Sequence, residues 1–129
     1  MNALTVIDRN FPWCSGWDDD SFCGRIHEES VWHLEEYWLL EWALFELVAS
    51  PRRDAQLNWK VFRVFSATFM SLSAHLDSND GYKIRNLKAY ELYEYRERFQ
   101  LVFEGFFSGN MPVMSQCFDL QNPLLQSSG

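Results

Sequence analysis

Residues 28–49, EESVWHLEEYWLLEWALFELVA, form the longest uninterrupted helical pattern in the chain, with no Pro, Gly, Lys or Arg. The stretch carries six glutamates and three of the six tryptophans. At 100° per residue, Val31, Leu34, Trp38, Trp42, Phe45 and Val48 share one broad apolar face. Glu28, Glu35, Glu36 and Glu46 lie on the other, with Trp32 and Leu39 set among them. An amphipathic helix of this length makes the chain α-helical, and its acidic, aromatic second face is the main clue to function.

Two further helices follow from the same periodicity. Ser50 and Pro51 supply an N-cap oxygen and a first-turn proline, so the second helix is expected over 51–76. Its buried stripe is Leu57, Val61, Val64, Phe65, Phe69, Leu72 and Leu76; Trp59 and Met70 lie on a flank, suited to meeting a neighbouring element. After a DSNDG turn at 77–81, Asn86 is placed to cap a third helix over 87–106, where Glu94 and Arg98 are spaced as an i,i+4 pair. Gly105 weakens its last turn, and Gly109 with Asn110 and Pro112 ends it.

The flanks are less regular. Residues 3–7, ALTVI, suit a short strand or an extended arm. Residues 8–26 read as irregular chain broken by Pro12, Gly16 and Gly24, with Asp20 or Ser21 able to cap a short turn. Phe11, Trp13, Trp17, Phe22 and Ile26 require that arm to lie against the body. Residues 111–120 suit a strand or a short helix, and 121–129 a frayed polar tail. The expected architecture is therefore a single all-α domain over 1–129: three main helices, an ordered irregular N-terminal arm and a short C-terminal element.

The net charge is −7, with 47% apolar and 17% aromatic residues. Nine acids against the single Arg25 occupy residues 17–50, while Arg52, Arg53, Lys60 and Arg63 follow. An acidic surface disfavours direct nucleic-acid binding, which needs phosphates neutralised. It suits a basic protein partner approached under electrostatic steering. Three cysteines, Cys14, Cys23 and Cys117, are expected as free thiols in a reducing cytosol. The N-terminus lacks the basic start and apolar run of a signal peptide, and no membrane-length apolar segment occurs, so a cytoplasmic location is expected.

Catalytic, metal and cofactor motifs are weak. Asp18, Asp19 and Asp20 are consecutive carboxylates, a poor cage for a hard cation, and suit a partner surface better. The 77–88 segment fails as a calcium loop because Tyr82 stands where the turn glycine belongs and Lys88 where the closing glutamate belongs. No Glu-x-x-His pair, phosphate loop or nucleophile elbow is present. Glu41 projects within the apolar arc and needs an arginine or tyrosine from another element. His75 is expected as a structural histidine at a helix end, bonded to a backbone carbonyl.

What remains is recognition. Trp32 and Leu39, ringed by Glu28, Glu35, Glu36 and Glu46, have the make-up of a hot spot with a charged rim, removable by alanine without unfolding the protein. The competing reading is that residues 11–26 cover that face.

Several stretches also resemble a known family. SFCGRIHEES at 21–30, Trp32 and EEYWLLE at 35–41 are similar to small bacterial immunity proteins, which protect cells against polymorphic toxins, including those of contact-dependent growth inhibition systems. So are HLD at 75–77, NDGYKIRNL at 79–87 and YRER at 95–98. Cys23 departs from that pattern, standing where an aliphatic residue is expected. The resemblance implies a non-enzymatic cytoplasmic protein, without cofactor, that binds and neutralises the C-terminal domain of a toxin, often a nuclease acting on tRNA. Two alternatives stand beside it: a homo-oligomeric regulatory or scaffold protein pairing through the first helix, and a small enzyme using His75 with Glu41 or Asp77.

Overall fold

The computed structural model describes residues 1–50 and 53–125, and these are all-helical. The expected Pro51 start of the second helix and the last four residues of the tail lie outside them. In chain order the helices are α1 (Ala3–Arg9), α2 (Phe22–Glu29), α3 (Leu34–Val48), α4 (Ala55–Leu76), α5 (Ala89–Ser108) and a single turn α6 (Met114–Cys117); a 3-10 turn at Pro123–Leu125 closes the fold. Three long helices are present as expected, the first of them shorter than its pattern, and the N-terminal segment contributes two more.

The ALTVI segment is a helix rather than a strand. Asn2 caps it by accepting from the Thr5 amide at 2.8 Å, and Val6 and Ile7 bury against α3. Its end is tied to the start of α2 by Asn10, whose amide donates to the Val6 carbonyl (2.8 Å) while its oxygen accepts from the Cys23 N–H (2.9 Å). That bond satisfies one of the amides a helix N-terminus leaves unpaired. Ser21, one of the two expected caps, starts α2 by accepting from the Gly24 amide. Gly24 is required because the 18–20 loop crosses it: a Cβ there would sit 2.4 Å from the Asp19 carbonyl oxygen.

The 28–49 pattern is not one helix. Glu28 and Glu29 finish α2, Ser30 turns left-handed at φ 57°, and α3 begins only after His33. Local periodicity is overridden by hydrogen bonds from residues distant in sequence. Asn86, expected as a cap, instead grips the backbone of Trp32 with both ends of its amide, at 2.9 and 2.8 Å. The Arg85 N–H donates to the Ser30 carbonyl (2.8 Å) and its guanidinium to that of Glu29 (2.9 Å). These bonds satisfy the backbone of 29–32 without helix, so the break costs little.

Once started, α3 is the axis of the fold. His33 caps it, and Glu35 and Glu36 lie in its first turn, where their charges favour the positive end of the helix dipole. Tyr37, Trp38, Leu40, Glu41, Ala43, Leu44 and Leu47 are buried, an arc of more than half the circumference. Helices α1 and α5 and the Pro123–Leu125 turn pack on it. Helix α4 packs on α1, α2 and α5, with Phe65 stacked on Phe99 at 5.5 Å and 6°. Asp54, rather than Ser50, caps α4 by accepting from the Leu57 amide (2.8 Å). At α5 the Glu91 carboxylate reaches back to the Lys88 N–H, and Gly109 at φ 80° ends the helix. Phe69 and Leu76, expected in the stripe of α4, are exposed, and so are Trp59 and Met70, although Trp59 does meet a neighbouring element, the arm, where Trp13 stacks on it at 6.0 Å and Phe11 lies edge-on at 6.4 Å.

Candidate functional site

The feature that positions everything around α3 is an ion pair. Arg98 of α5 meets Glu41 through two parallel bonds, Nε to Oε2 and Nη2 to Oε1, both 2.8 Å. Glu41 is fully buried and Arg98 nearly so, and the guanidinium lies over the Trp38 ring at 4.6 Å. Its remaining nitrogen donates to the Leu120 carbonyl, and the buried Asn122 amide donates to the Trp38 carbonyl (2.9 Å) and lies 3.4 Å from Glu41. The arginine expected for Glu41 is thus present. The expected Glu94–Arg98 surface pair does not form, because Arg98 turns inward. Nor are residues 121–125 a frayed tail, since Asn122 ties them to α3. Burial would lower the Arg98 pKa, but its bonds to Glu41 outweigh that and hold it above its ordinary value. Burial, and then the charge of Glu41, lifts the neighbouring Tyr37 phenol well above its usual range.

Trp32, expected at the centre of an exposed hot spot, lies in the core instead. It is 2% exposed, in a cage of aromatic rings: Phe22 edge-on at 4.8 Å, Tyr95 stacked at 5.0 Å and Tyr37 at 5.3 Å. Because Asn86 pins its backbone outside the helix, its side chain leaves the glutamate stripe and enters the core. The rest of the ring of glutamates also disperses. Glu36 is half-buried in an ion pair with Arg9 at 2.8 Å, and Glu28 is exposed on a different helix.

The acidic loop is equally committed. Asp18 takes the Asp20 amide (2.9 Å) and the Arg9 guanidinium (3.0 Å); these bonds, the first foremost, hold its carboxyl below the ordinary carboxylate range. Burial would lower the Arg9 pKa, but its bonds to Glu36 and Asp18 hold it above its usual value. Asp19 accepts from the Trp17 indole at 2.9 Å, and Asp20 stands 3.8 Å from Arg25. Asp18 therefore serves mainly to fasten the arm, while Asp19 and Asp20 remain exposed.

The open side of α3 lies elsewhere. Glu35 and Glu46 are its exposed residues, and along the same line of the helix surface lie Leu39 and Trp42, both partly buried. The spacing 35, 39, 42, 46 makes a continuous strip two apolar residues long with a carboxylate at each end. Periodicity assigns Trp42 to the core face. The strip it joins is hidden in the sequence because α3 has nearly as much apolar surface on every side.

His75 is half-buried rather than buried. Its Nδ1 accepts from the Ile84 N–H at 2.9 Å, and its own carbonyl takes the Lys83 ammonium. It binds the 77–84 loop as an acceptor from a backbone N–H, in place of the expected bond to a carbonyl. Burial, then the Lys83 charge, lowers its pKa, consistent with a neutral imidazole accepting at Nδ1. Glu41, whose two oxygens both face Arg98, belongs to a separate network.

The cysteines are free, and Cys23 is buried with its sulfur 3.7 Å from the Thr68 hydroxyl. Burial pushes this thiol up to about 12 from 9.0. A raised folded-state pKa means that its contribution is complete below pH 9.0 and is lost as pH rises towards about 12. The difference is on the order of 4 kcal/mol. Urea unfolding between about pH 8 and about pH 12 should show Cys23→Ala losing less stability than the parent over that interval. The Tyr37 phenol acts in the same direction in both proteins and cancels in the comparison.

No helix among the described residues is long and apolar enough to cross a membrane. Comparison with protein-family models, curated proteins and solved structures gives no match. The fold and the α3 strip describe a class, a small all-α domain that carries an acid-bracketed apolar strip on its central helix.

Proposed function

We propose that this protein is a stoichiometric protein inhibitor: an immunity protein that binds the C-terminal domain of a bacterial toxin, a basic nuclease such as one acting on tRNA. The observation that supports this reading best is the α3 strip. Trp42 and Leu39 supply apolar area between Glu35 and Glu46, the make-up of an interface anchor with a charged rim. A nuclease cleft built for phosphates presents the complementary charge, and carboxylates entering it would compete with substrate. The resemblance of 21–41 and 75–98 to immunity proteins points the same way. The strip takes over the role that Trp32 cannot fill. On this reading Asp19, Asp20 and Glu28 contribute long-range steering.

The test is kinetic binding to the toxin domain encoded beside this chain. Trp42→Ala should raise the dissociation rate by about tenfold or more, as truncating an interface anchor costs about 2 kcal/mol. Glu35→Gln with Glu46→Gln should chiefly slow association and flatten its salt dependence. Trp42→Ala with unaltered affinity would remove the strip from the interface, and a toxin domain that does not bind at all would remove the function.

A further inference from the structure

The outward side of α4 is unlike the rest of this acidic protein. Its 22 residues contain no Asp or Glu. Positions 59, 62, 66, 69, 73 and 76 follow a strict alternation of three and four, the spacing of a helix–helix seam, and read Trp, Phe, Ser, Phe, Ser, Leu. Trp59 is 47% exposed, Phe62 49%, Phe69 49% and Leu76 37%, with Met70 at 64% beside them. Trp13 of the arm, itself 63% exposed, stacks on Trp59 at 6.0 Å and prolongs the face. Half-exposed side chains of this size present roughly 100 Å² each, so the six together offer about 600 Å². That is at the upper end of the largest apolar patch on a typical monomer. With a polar rim it approaches the ~800 Å² that each partner contributes to a standard interface.

We infer that this face pairs with a second copy of the chain, the two α4 helices lying antiparallel about a two-fold axis between residues 66 and 69. The face is self-complementary. Antiparallel pairing about that point sets Phe69 opposite Ser66 of the other copy, Phe62 opposite Ser73, and Trp59 opposite Leu76. Each phenylalanine then meets a small residue, the large-against-small arrangement that fills a seam without voids or clashes. Ser66 and Ser73 can satisfy their hydroxyls on the preceding turn of their own helix. No carboxylate of α4 lies in the seam, which lessens the repulsion that two copies of a −7 chain would meet elsewhere; Arg63, over the Trp13 ring at 4.7 Å, and Arg96 with Glu97, beside Phe69, stand at its rim. Helix α4 packs on α1, α2 and α5 and stands apart from α3. Pairing there leaves the α3 strip open, and the inference does not rest on the toxin reading.

Sedimentation of the full chain at micromolar concentration tests it. The parent should be a dimer, and Phe69→Lys or Ser66→Asp alone should raise the dimer dissociation constant at least about thirtyfold, each burying an unpaired charge in the seam. Mixing the two variants should restore a heterodimer, since the new ammonium of one chain then meets the new carboxylate of the other. Phe62→Lys mixed with Ser73→Asp repeats the test at a second rung and covers any variant that fails to fold. A monomeric parent, a dimer indifferent to both lysine variants, or mixtures that stay monomeric while the parent dimerises would each overturn the proposal.

Discussion

Arg98→Ala is expected to lower the unfolding free energy by about 3–5 kcal/mol, the loss seen when one partner of a buried ion pair is removed. Glu41 is fully buried, and both of its oxygens depend on the Arg98 fork. Alanine would strand that charge, free the Leu120 carbonyl and uncover the Trp38 ring. In a domain of this size the midpoint of thermal unfolding should fall by on the order of 10–20 °C. Arg98→Lys should recover little, because a point ammonium cannot make two parallel bonds to one carboxylate. Replacing Glu41 and Arg98 together by methionine should recover more than half of the loss, since no charge is then left buried alone. Urea and thermal unfolding decide the matter. A loss of less than about 1 kcal/mol on Arg98→Ala would mean that the pair behaves like an exposed one.

Trp32→Ala should cost a similar amount, about 3–5 kcal/mol, by opening a cavity among Phe22, Tyr37 and Tyr95. Reading 28–49 as one helix leads to the opposite expectation, a folded protein with impaired recognition. The two outcomes separate cleanly. Unfolding measurements report the core role, while partner affinity measured per folded molecule should stay near that of the parent. Full stability with weakened binding would return Trp32 to the surface. Trp42→Ala is the internal control, since Trp42 is only partly buried and should lose binding before it loses stability.

The contrast between these two tryptophans shows where periodicity stops being informative. Trp32 and Trp42 sit in one apolar pattern, and an angular projection assigns the first to the glutamate face and the second to the core. The first reverses because Asn86 and Arg85 hold residues 29–32 in a non-helical link, which starts α3 at Leu34 and turns Trp32 inward; the second holds only in part, since Trp42 packs on the core with one side and leaves the other on the open strip. A similar displacement occurs at Arg98. Its spacing from Glu94 suits a surface pair, but the isolated carboxylate of Glu41, fifty-seven positions earlier, commands a stronger geometry. The sequence does signal that demand, because an acid within an apolar arc has few ways to be satisfied.

The order of residues was enough to determine the all-α class, the presence of three long helices though not where the first begins, a cap at Asp20 or Ser21, and the need of Glu41 for a hydrogen-bonding partner. Those features depend on contacts within a few residues or on a local conflict that any fold must resolve. Tertiary structure alone decided that Arg98 is that partner, that Asn10, Asn86 and Asn122 lace the backbone of distant segments, and that α3 opens between Glu35 and Glu46. A side-chain amide can donate to one chain segment and accept from another wherever folding brings them together, so its choice leaves no period to read. A helix with large apolar residues on every side offers little preferred direction of its own, and the elements that pack on it determine which strip remains for a partner.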